Sequence, residues 1–529
     1  MDSLCTGSRR QGAAVKWMAA ATGLLSLAWF VVRVIPKPSR AAYPCQRAVA
    51  PLASGFVVWF AGFIAAKALH RQAMAWRRHS RWALVAALVS LAGLALWLPL
   101  GVPGEVAAVD VFSPPDPPNS PIGAGKGIKP GRVVWAHEAA AARWDGANGE
   151  WWDDSSTDQA AVDRMMSQGL QSLTGRKSDK QAWQALFQYF HQSRGLGKAG
   201  YRAGEKVAIK LNQNQDRLDA WRSGQGMPSP HVVYALVRQL VEVAGVSGRD
   251  IILYDASRYI GDPIYNKIRA NSDPNFQAVR FIVSPKAAGK GRAEASPDRT
   301  SPVHFSHQSL PAAYLPAQLT EAKYLVNVAL LRAHTLFGVT LTAKNHFGST
   351  FFPDNGGWTP APLHATGSKN NPMGSYNCLV DLTGHKHLGG KTLLYMVDGL
   401  YASEHQQGKV IRFESFGDTW TASLFFSQDP VAIDSVGLDI LRNEPRATQV
   451  RGTPDNYLHE AALAGKPPSG TVYDPEGDGK PLESLGVHEH WNSATDRQYS
   501  RNLGKEEGIE LITLPSSAPQ EARTRFLRP

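Results

Sequence analysis

Lys206-Val-Ala-Ile-Lys-Leu211, Asn212-Gln-Asn-Gln215, Ser229-Pro230 and Asp250-Ile-Ile-Leu-Tyr-Asp255 together decide the fold class. The first run is apolar and of strand length, and it stops at a polar turn. Ser229 is an N-cap residue with proline at the first helical position, and the helix is predicted to run to Ala244, with Gly245 as its stop. Asp250–Asp255 is a second apolar strand. A strand, a helix and a strand within about fifty residues make a parallel crossover unit, in which the sheet is covered on both faces.

The same alternation extends in both directions. Arg132-Val-Val-Trp-Ala136 reads as a strand and Thr157–Leu173 has helical spacing. A helix follows near Pro263–Ala270, then strands at Val279–Val283, Tyr324–Val328, Thr392–Val397 and Ala422–Phe426, and a helix at Pro430–Arg442. The expected class is therefore α/β, a mainly parallel sheet with helices on both faces. Phe351–Tyr376, rich in Gly, Pro and Asn, reads as a long loop suited to a lid or rim. In such sheets ligands sit beyond the carboxyl ends of strands.

Ahead of this domain the composition changes. Before Gly104 there are twelve basic residues and one acid, Asp2, so this segment carries the whole net charge of +11 and the remainder is neutral. Three apolar runs, Trp17–Ile35, Ala48–Ala66 and Trp82–Val102, are each about the length of a bilayer-crossing helix. Arg33-Val-Ile-Pro-Lys37 lacks a small-residue cleavage pattern, so three retained transmembrane helices over residues 1–104 are preferred to a cleaved leader. Charge in the N-terminal tail and second connection outweighs that in the first. The C-terminal part is thus expected outside the cytoplasm, in the periplasm of a multi-pass inner (plasma) membrane protein. The lipid bilayer is the expected partner; the basic charge belongs to the anchor and gives no support for nucleic acid. Residues 105–131, with Ser-Pro-Pro-Asp-Pro-Pro and then Gly-Ala-Gly-Lys-Gly, read as a linker, and 132–529 as one extracytoplasmic domain.

Chemistry-bearing residues collect at the predicted strand ends. They are Lys210, Asn212 and Asn214; Asp255 and Arg258; His334; Lys344, Asn345 and His346; Asp398; and Asp429 with Asp434. A lysine closing an apolar strand must meet a carboxylate or a ligand anion once enclosed. One reading makes an anion pocket, with Lys344, His346 and Lys210 as catalytic candidates and Asn212, Asn214, Asn345, Arg258 and Asp255 holding the ligand. The other has the lysines pair with Asp255, Asp398 or Asp434 and fix loop geometry. His334 with Asp398, Asp429 and Asp434 forms a weak divalent-metal candidate, lacking any tight ligand spacing. Asp429-Pro430 also reads as a helix cap. His385-Lys-His387 and His488-Glu-His490 are expected to be solvated pairs in loops, and the many tryptophans to serve packing. No GxSxG or GxGxxG follows a strand.

Lys210-Leu-Asn212, Ala343-Lys-Asn-His-Phe-Gly348, Val397-Asp-Gly399 and Asp429-Pro-Val-Ala-Ile-Asp-Ser-Val-Gly437 resemble the motifs of the bacterial domain of unknown function 362 family, from about Lys206 to Leu441. Some members of that family are described as iron–sulfur proteins. This chain has three cysteines, Cys5, Cys45 and Cys378, without clustered spacing, so an intrinsic cluster is not expected. A Cys45–Cys378 bond and a buried free Cys378 stay open as alternatives. The functional expectation is an enzyme acting on a small anionic molecule or envelope component. The rival is a binding or redox-accessory module whose partner carries the iron–sulfur or other cofactor.

Overall fold

The computed structural model describes residues 116–515, apart from 214–220, 367–371, 449 and 451–453, together with positions 28, 29 and 32. Apart from positions 28, 29 and 32, the three expected membrane spans lie outside the described residues, as do Cys5, Cys45 and Asn214. Among the described residues no helix is long and apolar enough to cross a membrane. Those from 116 onward belong to one compact unit.

The main sheet is built from β1 (Arg132–His137), β2 (Val207–Leu211), β3 (Ile251–Asp255), β4 (Arg280–Val283), β5 (Ala293–Glu294), β6 (Tyr324–His334), β7 (Thr392–His405), β8 (Ser423–Ser427) and β9 (Glu510–Leu514). Their spatial order is β9-β1-β8-β7-β6-β2-β3-β4-β5. The sheet is mixed. β8 runs antiparallel to β7 and to β1, while every other neighbour pair on this path is parallel. The expectation of a mainly parallel sheet thus misses one reversal. The chain returns from β7 to β8 over residues 406–422 without an α-helix, a connection that suits antiparallel neighbours, whereas parallel ones are usually joined through a crossover helix.

Helices cover both faces. α1 (Gln159–Thr174), α2 (Asp179–Gln192), α3 (Pro230–Arg238) and α4 (Asp262–Arg269) pack with Val207, Ile209 and Leu211 on one side. α5 (Thr342–Asn345), α6 (Cys378–Gly384), α7 (Pro430–Arg442) and α8 (Asp455–Ala462) cover the other, the side of Ala208, Ile252 and Ala329. Strand alternation produces this division, since successive side chains point to opposite faces. Lys210 is two residues from Ala208 and so shares its face, the one that α5 covers.

Local chemistry explains the element ends. Ser229 Oγ accepts from Val232 N at the start of α3, with Pro230 at the first position. The helix then continues as a π turn over Gln239–Val243 and stops at Gly245, whose φ of +72° suits glycine. β6 and β7 run well beyond their expected ends, to His334 and His405, and carry polar residues past the apolar core. Phe351–Tyr376 contains two short strands, Phe351–Phe352 and Gly357–Trp358, and a helical turn at Ala361–Thr366.

The stretch read as a linker is, from Asp116 on, bound to the domain. Ile122–Gly123 pairs with Val487–His488, Asn119 N donates to His490 O, 2.9 Å, and Lys126 N donates to Asp429 Oδ2, 2.8 Å. Extended proline-rich backbone keeps its amide groups available, and here the domain takes them up. The tryptophans pack among themselves, Trp144 stacking on Trp420 and Trp151 on Trp221.

Candidate functional site

Parallel register places Lys210 beside Tyr254 of β3 and Asn327 of β6. Its ammonium is fully enclosed. It donates to Asp255 Oδ2 at 3.0 Å and to Asn345 Oδ1 at 3.2 Å, and also to the Leu211 carbonyl. Burial pulls its pKa down and Asp255 opposes that. Asp255 in turn accepts from Ser257 N and Oγ and from Gln213 N. Lys210 is therefore paired as the structural reading required, and its three donors are spoken for.

Gly348 makes this pair sterically feasible. A Cβ there would lie 2.7 Å from both Lys210 Nζ and Asp255 Oδ1. Gly348→Ala is expected to destabilise the domain by about 1–3 kcal/mol, as overpacking of a rigid core does. Thermal unfolding checks this, and an unchanged melting temperature contradicts it.

Asn345 is consumed by the scaffold as well. Its Nδ2 donates to Asn327 Oδ1 and to the Val328 carbonyl. Asn327 Nδ2 contacts the Thr342 carbonyl and His346 Nε2. His346 is fully buried, does not line the cleft, and burial with the Lys210 charge pushes its pKa down to about 3. It stays neutral at ordinary pH, with Nε2 held at 3.2 Å from Asn327 Nδ2.

Lys344 differs. Its Nζ lies 3.2 Å from His364 Nε2, 3.7 Å from the Phe347 ring centre and 4.9 Å from that of Phe337. Among the described residues no carboxylate pairs with it. Burial, reinforced by Arg332, Arg258 and Lys210, holds its pKa well below the usual lysine range. His364 Nδ1 faces the Pro360 carbonyl at 3.0 Å, so Nδ1 carries the proton and Nε2 offers a lone pair to Lys344. His334 stacks on His364 with ring centres 5.8 Å apart. Its Nδ1 accepts from Leu336 N and Phe337 N, and burial keeps its pKa well below the ordinary value.

These groups line a narrow cleft with about 30 Å³ of free space at the carboxyl ends of β2, β3 and β6. Among the described residues, Lys210, Arg258 and Lys344 line it together with the carboxylate of Asp255. Two wider clefts, of about 320 and 340 Å³, lie elsewhere. One is between α1 and α3; the other is at the opposite end of β7, around Thr392 and Tyr395.

The three aspartates proposed with His334 for a metal are dispersed and satisfied. Asp398 accepts from Ser229 N and Leu400 N, with burial pushing its pKa up to about 6. Asp429 caps α7 through Val431 N and Ala432 N and also accepts from Lys126 N and Val487 N. Burial raises its pKa to about 7. Asp434 takes Thr342 N, Thr342 Oγ1, Ala343 N and the Tyr457 hydroxyl, so one helix caps another. None of the three gathers with His334 in a group of potential metal ligands.

Residues 207–439 match the model of the family described as Domain of unknown function (DUF362). The chain carries a DUF362 domain. No curated protein matches the chain. The cleft residues Lys210 to His364 all lie inside the matched DUF362 segment, which closes at Asp439 and leaves α8 and the 487–491 region outside.

Sequence reasoning missed Arg332 and His364. Arg332 is wholly buried. It donates to the Gly226 carbonyl and to Asn212 Oδ1, and burial lowers its pKa to about 9. An arginine interrupting the apolar run Tyr324–Ala333 was the available signal. His364 sits in a stretch that reads as loop, and only the fold brings it to Lys344. Cys378 is buried with its thiol pushed up to about 12, so it stays protonated and is a poor metal ligand; its suggested partner Cys45 is outside the described residues.

Proposed function

We propose that the DUF362 domain binds the anionic end of a small molecule or envelope component in the Lys344 cleft, and that Lys344 moves a proton there. The observation that carries this is a cleft-lining lysine with a histidine and two aromatic faces around it and, among the described residues, no carboxylate paired with it. Evolved folds do not ordinarily enclose an ammonium without a counter-charge. An incoming carboxylate or phosphate supplies it. Before binding, the lowered pKa favours the free amine, a competent base. After binding, the anion draws a proton onto it. Lys210, already matched by Asp255, positions Asn345 and the β2 end. Arg258 lines the same cleft. The narrow cleft selects a terminal anionic group. The basic, apolar segment before Gly104 supports placing this activity at a membrane, on its extracytoplasmic side.

Calorimetry of the full chain with inorganic phosphate and with short carboxylates, in two buffers of different ionisation enthalpy, tests the reading. Expected are proton uptake on binding and a loss of affinity of about 10–100-fold in Lys344→Met, the worth of one charged hydrogen bond. Equal affinity in wild type and Lys344→Met would sink it. Failure of Lys344→Met to complement a deletion strain, with the fold intact, separates catalysis from scaffolding.

A pH dependence follows. The folded Lys344 has a pKa below its unfolded value near 10.5, so the unfolded chain binds more protons between the two. This group's contribution therefore makes stability rise with pH across that window. Lys344→Met should flatten that part of the stability profile and raise stability at neutral pH. Denaturant midpoints taken from pH 6 to 10 read both effects.

A further inference from the structure

The His488-Glu-His490 pair, expected in solvent, is buried instead, at 1 % and 2 % exposure. It sits where β7- and β8-side helices α7 and α8 meet the entering chain. His488 Nδ1 lies 2.9 Å from Ser435 Oγ. That hydroxyl donates its proton to the Val431 carbonyl, 2.7 Å away, so its oxygen accepts from His488 Nδ1–H. The tautomer is thereby set, and His488 Nε2 presents a lone pair that is buried and has no hydrogen-bond partner.

That lone pair points at His459 and Asp116. Asp116 Oδ2 lies 3.9 Å from His488 Nε2 and 2.6 Å from His459 Nε2. The ligand atoms of Asp116, His459 and His488 all lie within 4.8 Å of one another. Two donors on a tetrahedral ion at about 2.1 Å are roughly 3.4 Å apart, so a small adjustment brings all three onto one centre. A second overlapping group, Asp455 with His488 and His490, is less suited. Arg442 already holds both carboxylate oxygens of Asp455, and its guanidinium repels a cation.

We propose that Asp116, His459 and His488 bind a divalent transition-metal ion of the zinc type. Two imidazoles and a carboxylate suit that class, and Ser435 orients one ligand from behind as metal sites require. Asp116 is partly exposed, which leaves an entry path and room for a water as fourth ligand. The ion would clip the entering chain to α8 and to the Val487–His488 strand. This site is separate from the Lys344 cleft and does not depend on the reading given for that cleft.

The test uses the full chain, stripped with a chelator and titrated with Zn²⁺ and with Co²⁺. Expected are one equivalent bound, visible Co²⁺ bands of a four-coordinate site, and a melting temperature that rises with metal. His488→Ala and Asp116→Asn should each abolish stoichiometric uptake. Ser435→Ala, which leaves all three ligands in place, should weaken binding about 10–100-fold. Asp116→Asn changes a partly exposed side chain at the domain edge, so it keeps the test meaningful if His488→Ala fails to fold. No uptake by the stripped wild type, or undiminished uptake in Asp116→Asn, would overturn the proposal.

Discussion

Asp255→Ala is expected to cost about 3–5 kcal/mol of folding stability, the usual penalty for stripping one partner from a buried ion pair. Lys210 is left with an ammonium facing two neutral oxygens, and nothing but the narrow cleft can supply water. Lysine has an escape that arginine lacks, because it can release its proton. The loss should therefore be greatest at acidic pH and shrink as pH rises toward the ordinary lysine range. Paired replacement, Lys210→Met with Asp255→Leu, removes both charges and should recover most of the stability. Urea unfolding of the three variants at two pH values measures all of this. A single-variant loss under 1 kcal/mol would mean the pair is already solvated.

Asp434→Ala should be comparably severe, on the order of 4 kcal/mol. Its carboxylate is wholly buried and receives two backbone N–H groups, a threonine hydroxyl and a tyrosine hydroxyl. Truncation leaves those donors in the core without partners, at about 1–3 kcal/mol apiece before relaxation. The effect should also reach the cleft. Asp434 holds the first turn of α5, and Lys344 is the third residue of that turn. Anion affinity should fall together with stability in Asp434→Ala, although Asp434 touches no part of the cleft. Tyr457→Phe, which removes one donor and leaves the α5 turn capped, should cost about 1 kcal/mol and spare the affinity. Calorimetry beside thermal unfolding reads the two effects separately; a destabilised Asp434→Ala that binds anion normally would break the proposed link.

Much of the sheet was legible because its signals are local. An apolar run that ends in a polar turn, a serine followed by proline, and a glycine after a helical stretch each act over a few residues. Seven predicted strands appear close to their expected positions for that reason. β8 shows the limit. Its sequence says strand, but its direction depends on which neighbours it meets and how the chain returns to them. The reach of β6 to His334 was hidden for a similar cause, since Arg332 breaks the apolar pattern and is accommodated only by Gly226 and Asn212.

The candidate site divides the same way. Residue types at strand ends singled out Lys210, Asp255, Arg258, His334 and Lys344, because a charge beside an apolar run must be answered by something. Which charge answers which is a matter of distance. Lys210 meets Asp255, whereas Lys344 meets His364. Asp398, Asp429 and Asp434 bind backbone amides in three separate places. Spacing along the chain carries no information about any of these meetings, and it misjudged His488 and His490, whose burial comes from helices that precede them by dozens of residues.

By itself the sequence determined the strand-and-helix alternation, the caps, the segregation of net charge ahead of Gly104 and the list of reactive side chains. All of these follow from interactions between near neighbours in the chain. Only the tertiary structure decided the pairing of those side chains, the reversal of β8 and the binding of the Asp116–Gly131 stretch to the domain. Each of these depends on contacts between residues far apart in sequence, where the energy of burying a charge or an amide is settled by whatever partner the fold delivers.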